Sequence, residues 1–196
     1  MSSRAPPSLD EDRALVSAVL ARAPGAFETL VRAHQGLCWR IINRMVRHPE
    51  DTRELCQETF LRVHRHLGQY RFESPLRSWI GQVAFSVAAR HLKRKRIPLA
   101  EPKDDDEGTP LVEQVSDDFD LEAAYADEEL AGLLKAAIEE LAPLQRMLLT
   151  MYHLEEMSIG EIAEITDVPE GTIKSHLFRS RAKLRERLEA YWNESR

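Results

Sequence analysis

Between residues 172 and 183, hydrogen-bonding or cationic groups recur at Thr172, Lys174, Ser175, His176, Arg179, Arg181 and Lys183. With Ile173, Leu177 and Leu184 facing inward, they are the candidates for the outer side of one helix. Groups of this kind neutralise phosphates and donate to base edges in the major groove, so the chemistry on offer is recognition of duplex DNA. The first turns of a recognition helix meet bases and its later cations meet phosphates. That rule assigns Lys174, Ser175 and Arg179 to bases and Arg181 to phosphate.

Such a row needs a helix-turn-helix to hold it, and the segment from Ser158 to Arg187, SIGEIAEITDVPEGTIKSHLFRSRAKLRER, is worded for one. Ser158 followed by Glu161 predicts a capping box that starts a short helix. Ile159, Ile162, Ala163 and Ile165 form its apolar face. Thr166 and Asp167 end it, Val168 plugs the turn, and Pro169 suits the start of a second helix from about Glu170. Ile173, Leu177 and Leu184 face inward from that helix. Asp167 stands where such turns usually carry Gly, and Asp tolerates left-handed backbone better than most residues. A solvated basic helix closing a bundle is the plainer alternative, and the cap and turn argue against it.

Another cationic group lies upstream, where Arg90, Lys93, Arg94, Lys95 and Arg96 end a helix preceded by Tyr70, Arg71 and Phe72. Cations beside unpaired aromatics suit single-stranded nucleic acid, because rings hold extruded bases while Lys and Arg follow the backbone. Taken singly, Trp79 belongs in the core and a Lys/Arg run merely complements a helix C-terminus. The segment Asp51 to Val63 interleaves an apolar face with a polar one, by itself a solvated helix. His34 and Cys38 share a helix face, but two ligands make no metal site, and both Cys38 and Cys56 are expected as packed thiols. We find no phosphate loop, metal cluster or nucleophile–base pair, hence no catalytic residue, metal or cofactor is expected.

The net charge of −6 over 196 residues looks wrong for a DNA binder until it is divided along the chain. Residues 1–98 hold 17 Lys and Arg against 9 Asp and Glu, a surplus of eight positive charges. Residues 99–141 hold 2 against 15, and residues 142–196 hold 8 against 9. The acidic middle, with Pro102, Gly108 and Pro110, reads as a flexible, self-repelling linker.

On both sides of it the period is helical and nothing alternates like a strand, which makes the protein all-α. Upstream, Leu15, Val16, Val19 and Leu20 open the pattern. Phe27 to Val46 continues it as a long stripe that His48-Pro49 breaks. Two further helices use Leu55, Phe60, Val63 and Leu67, then Leu76, Trp79, Ile80, Val83, Ala84, Val87 and Leu92. Downstream, Leu130, Leu133, Leu134, Ile138 and Leu141 are followed, after Pro143, by Leu144, Met147, Leu148, Met151 and Tyr152. The expected organisation is a disordered tail (1–12), a helical bundle (13–97), the linker (98–127) and a second small bundle (128–192). No apolar run approaches a membrane span, and the start lacks a signal peptide, which points to the cytoplasm.

The wording DTRELCQETFLRVHRHL, followed by FESPLRSWIGQVAFSVAARHLKRKR, resembles region 2 of extracytoplasmic-function (ECF) sigma factors, and VPEGTIKSHLFRSRAKLRERL resembles their region 4. The resemblance implies a promoter-recognition subunit of bacterial RNA polymerase, with promoter DNA and the polymerase core as partners. By position, Asp51, Glu54, Gln57, Glu58 and Arg62 would dock on the coiled coil of the polymerase's largest subunit. The loop around Tyr70, Arg71 and Phe72, with Arg77, Gln82, Ser86, Arg90, Lys93 and Arg94, would capture and melt the minus-10 element. Region 4 would read the minus-35 duplex and touch the polymerase flap.

Two positions depart from the family's habit. Ser86 stands where Asn is common, and Arg53 interrupts an acidic run. Thr52 beside it is a candidate phosphoswitch, since a phosphate would add about −1.5 to −2 charges there. Control by an anti-sigma factor, by a Ser/Thr kinase or by expression alone is left open by the sequence. The competing reading, a helix-turn-helix regulator of the two-component output type, accounts for the C-terminal part alone.

Overall fold

The computed structural model describes residues 9–100 and 128–194, so most of the expected linker and the first eight residues lie outside the described residues. Among those described, helices and turns account for all regular structure, and the chain falls into two compact units, the first running to Arg94 and counting Glu164–Thr166 with it, the second comprising the rest.

The first unit comprises α1 (Leu9–Leu20), α2 (Ala26–Val46), α3 (Pro49–His66), a 3-10 turn (Leu67–Gln69) and α4 (Leu76–Arg94). Each boundary has a local cause. Gly25, at φ 75°, permits the turn before α2, and Arg47 closes that helix in left-handed conformation with its N–H on the Asn43 carbonyl. Pro49 then supplies a pre-set first residue for α3, and His48 Nδ1 accepts the Asp51 N–H at 3.3 Å. The long α2 is the spine. It packs on both α3 and α4, and its Leu30, Ile41, Ile42 and Met45 are buried, as are Val63 of α3 and Leu76, Ile80 and Leu92 of α4.

The second unit runs through α5 (Glu128–Glu140), α6 (Pro143–Leu149), a π-turn (Thr150–Leu154), α7 (Ile159–Thr166) and α8 (Glu170–Glu194). Both α5 and α6 pack against α8. Arg146 is buried, yet its guanidinium donates to the Leu141 and Glu139 carbonyls at the end of α5, where a cation also complements the helix dipole.

Three expectations change. Residues 9–12 are not tail but the first turn of α1, and Asp12 within it is buried. Leu20 is 54% exposed and leaves the core, because α1 ends there. Tyr152 is likewise exposed, since the π-turn at Thr150 rotates the apolar face away from it.

Candidate nucleic-acid and docking interfaces

In the second unit the predicted turn is realised atom by atom. Ser158 Oγ accepts the Glu161 N–H at 3.2 Å, and Glu161 Oε2 accepts the Ser158 N–H at 3.0 Å. Asp167 adopts φ 57° and sends its N–H to the Ala163 carbonyl. α8 begins at Glu170, with Ile173, Leu177, Leu184 and Leu188 buried along one stripe.

The outer row is shorter than its sequence pattern. Lys174 and Lys183 are exposed, and Thr172, Arg179 and Arg181 are half-buried. Ser175 and His176 are buried, at 8% and 9% exposure, so neither is an outward reader. Ser175 Oγ instead donates to the Gly171 carbonyl one turn back, at 2.9 Å. Short hydroxyl side chains in helices often bond the preceding turn in this way. Arg179 folds back too, its Nε–H reaching the Ser175 carbonyl at 3.3 Å. Farther along, Arg187 is held by both carboxylate oxygens of Glu140 on α5, at 2.8 and 3.1 Å.

In the first unit the aromatics before α4 are paired with one another, contrary to the expectation. The Tyr70 ring lies 4.6 Å from Phe72 and 5.4 Å from Trp79, and its hydroxyl donates to the Ser74 carbonyl at 2.5 Å. Tyr70 is 7% exposed, and burial pushes its phenol up to about 12. Trp79, expected in the core, is half-buried at the edge of this cluster. Phe72 sits at φ 59°, where a bulky side chain is an outlier, and Arg71 and Glu73 flank it exposed.

Along α4, Gln82, Ser86 and Arg90 recur every four residues and are exposed, with Lys93 and Arg94 exposed beyond them and Arg77 half-buried near the start. They form one polar stripe ending in cations. Sequence reasoning missed what holds the start of this helix. Asp12 Oδ2 of α1 accepts the Leu76 N–H at 2.8 Å across 64 residues, and Arg13 lies over the Phe72 ring at 5.5 Å. Burial raises the Asp12 carboxyl above its usual range, and the Leu76 N–H opposes the shift. The available signal was a carboxylate on the same helical face as Val16 and Val19.

On α3, Glu54 and Gln57 are exposed, while Glu58 and Arg62 pair with each other at 2.5 Å. Asp51 is half-buried and faces inward, 3.4 Å from His91 Nε2 on α4 and 3.7 Å from His48 Nδ1. Arg53 pairs with Glu50 at 2.5 Å, which offsets the positive charge interrupting the acidic run.

Thr52 is fully buried, its hydroxyl donating to the His48 carbonyl at 2.9 Å, so the folded bundle withholds it from a kinase. Cys38 and Cys56 are packed thiols, raised to about 12 and about 11 by burial. Beside α3's polar face runs an apolar groove of about 730 Å³, lined by Phe27, Val31, Trp39, Cys56, Phe60 and Leu61. Trp39 and Leu61, both solvent-exposed, are the apolar part of this surface that polar-residue spacing overlooked.

Two helical units, one with a basic strand-sized stripe and one with a capped helix-turn-helix, define a DNA-binding transcription protein of the sigma-70 kind. Residues 30–97 match Sigma-70 region 2, and residues 131–184 match Sigma-70, region 4. The chain is 27% identical over 192 residues to the RNA polymerase sigma-H factor of Pseudomonas aeruginosa, covering 95% of this chain and 98% of that one. It is 29% identical over 176 residues to the ECF RNA polymerase sigma-E factor of Escherichia coli, covering 87% and 90%.

In fold it is similar to CnrH, solved in complex with the cytosolic domain of CnrY, with a TM-score of 0.62, 21% identity and coverage of 91% and 97%. It is also similar to the sigma factor RpoE of Bartonella quintana, solved with the anti-sigma factor NepR, with a TM-score of 0.58, 18% identity and coverage of 84% and 98%. The chain belongs to the sigma-70 family, among its ECF sigma factors, and directs promoter-specific initiation of transcription. Among the described residues no helix is long and apolar enough to cross a membrane.

Proposed function

We propose a division of labour between the two units. The first docks on the largest-subunit coiled coil of RNA polymerase core through Glu54, Gln57, Glu58 and Arg62 together with the apolar groove between α2 and α3. Gln82, Ser86, Arg90, Lys93 and Arg94 hold the opened minus-10 strand, with the loop from Tyr70 to Phe72 and with Arg77 at its start. The second unit sets α8 in the minus-35 major groove and touches the flap. Lys174 and Arg179 meet bases there, Thr172 flanks them, and Arg181 and Lys183 meet phosphates.

One observation carries this reading: an exposed polar stripe on α4 runs from an aromatic cluster to a basic end. Exposed polar groups leading to backbone cations along one line, beside an aromatic turn, suit a single strand. Melting then draws on binding energy, so the protein works without enzymatic chemistry, in the cytoplasm where polymerase and promoter are. The solved relatives sit with CnrY and NepR, which supports an anti-sigma factor as the regulator here, covering the groove that core would use.

In vitro transcription with core polymerase and mapping of start sites tests the reading. The expected result is initiation at specific promoters only when the chain is added. Promoter binding without core, and no redirected initiation, would transfer the reading to an ordinary helix-turn-helix regulator.

A further inference from the structure

Phe72 holds a left-handed backbone, a strained state that persists only where the surroundings over-determine it. Two of the constraints come from α1, a helix outside the strand-holding stripe. Arg13 covers the Phe72 ring from 5.5 Å, and the preceding residue, Asp12, caps the first turn of α4 at 2.8 Å from the Leu76 N–H. Tyr70 closes the set. It stacks on Phe72 and Trp79, and its hydroxyl binds the Ser74 carbonyl, two residues before Leu76. Adjacent α1 residues thus pin the two ends of one segment: Arg13 its aromatic turn, Asp12 the helix that follows.

We propose that Asp12 and Arg13 are positioning residues for promoter melting, holding the loop from Tyr70 to Ser74 in strand-receiving shape before DNA arrives. The inference rests on the minus-10 role given above to that loop. Melting competes with base pairing, so a loop that must first be ordered subtracts its ordering free energy from what is available to open the duplex. A strand already open makes no such demand. The signature of positioning is therefore a defect that depends on whether the template must be melted.

The test uses full-length protein with core polymerase on one promoter in two forms, fully duplex and mismatched across the minus-10 element. Arg13→Ala should slow open-complex formation about fivefold on the duplex and less than about twofold on the mismatched template, from loss of one exposed cation–π contact and the order it imposes. Arg13→Lys should recover part of that loss, and core affinity and the thermal midpoint of Arg13→Ala should match wild type. Asp12→Ala should show the same template dependence, whereas Asp12→Asn, which keeps an acceptor for the Leu76 N–H, should stay near wild type.

Equal loss on both templates, or no loss on either, for Arg13→Ala overturns the proposal. Wild-type behaviour of Asp12→Ala removes the cap from it. A wild-type chain that initiates on neither template would instead overturn the minus-10 reading itself, so the two failures are distinguishable.

Discussion

Truncating Leu61 to alanine separates docking from folding. Leu61 is 58% exposed on α3 although it lines the apolar groove, so the bundle gains little from it. Fully burying a leucine is worth about 1.5–3 kcal/mol, and roughly half of that is still to be gained when a partner covers the groove. Leu61→Ala should therefore weaken core binding by about 0.75–1.5 kcal/mol, roughly four- to twelvefold in Kd.

The contrasting variant is Leu55→Ala one and a half turns earlier, whose side chain is 4% exposed. It should cost about 2–5 kcal/mol of stability through transfer and cavity terms. Core affinity measured by fluorescence anisotropy, beside thermal unfolding of the same preparations, gives both readouts. Unchanged core affinity for Leu61→Ala with a stable fold would refute the groove as part of the docking surface. A lowered melting temperature for Leu61→Ala would refute the claim that the side chain is idle in the free protein.

His34 is buried in α2, and burial followed by the nearby Arg77 charge lowers it from 6.5 to about 4. A depressed histidine folds neutral, so its contribution is complete above pH 6.5 and is lost as pH falls toward 4, by about 2 kcal/mol at pH 5. Denaturant titrations of wild type and His34→Leu should diverge over that interval, and parallel curves would contradict the burial argument. Thr52→Val removes a buried hydroxyl at nearly constant volume and should cost about 1 kcal/mol in denaturant unfolding, with core affinity unchanged. A Ser/Thr kinase should leave Thr52 unmodified in the native protein by mass spectrometry. Lys174→Ala should lose about 1–3 kcal/mol of discrimination between promoters, while Arg181→Ala weakens all sequences alike in competitive binding assays.

Caps, turn residues and hydrophobic period act over a few residues, which is why they can be read along a string. Ser158 and Glu161 announce α7, Asp167 and Pro169 place the turn, and His48-Pro49 splits α2 from α3, all as observed. The candidate site was legible in part: the cations from Arg90 to Arg96 stand out in the string, whereas Gln82 and Ser86 were named by the resemblance to region 2, and the folded helix exposes them in one stripe with Arg90.

Facing direction is another matter. Ser175 and Lys174 are neighbours with equally suitable chemistry, yet one hydroxyl turns back to Gly171 and the other side chain meets solvent. Thr52 and Arg53 part company in the same way, since one faces the α2 side of the bundle and the other the groove. Asp12 is the extreme case: its partner, the Leu76 N–H, lies 64 residues away. A helix end leaves N–H groups unsatisfied, and local pattern says only that something must meet them. Which group does so is decided when helices pack, because packing brings α1 against the bundle and removes the water that would otherwise have served.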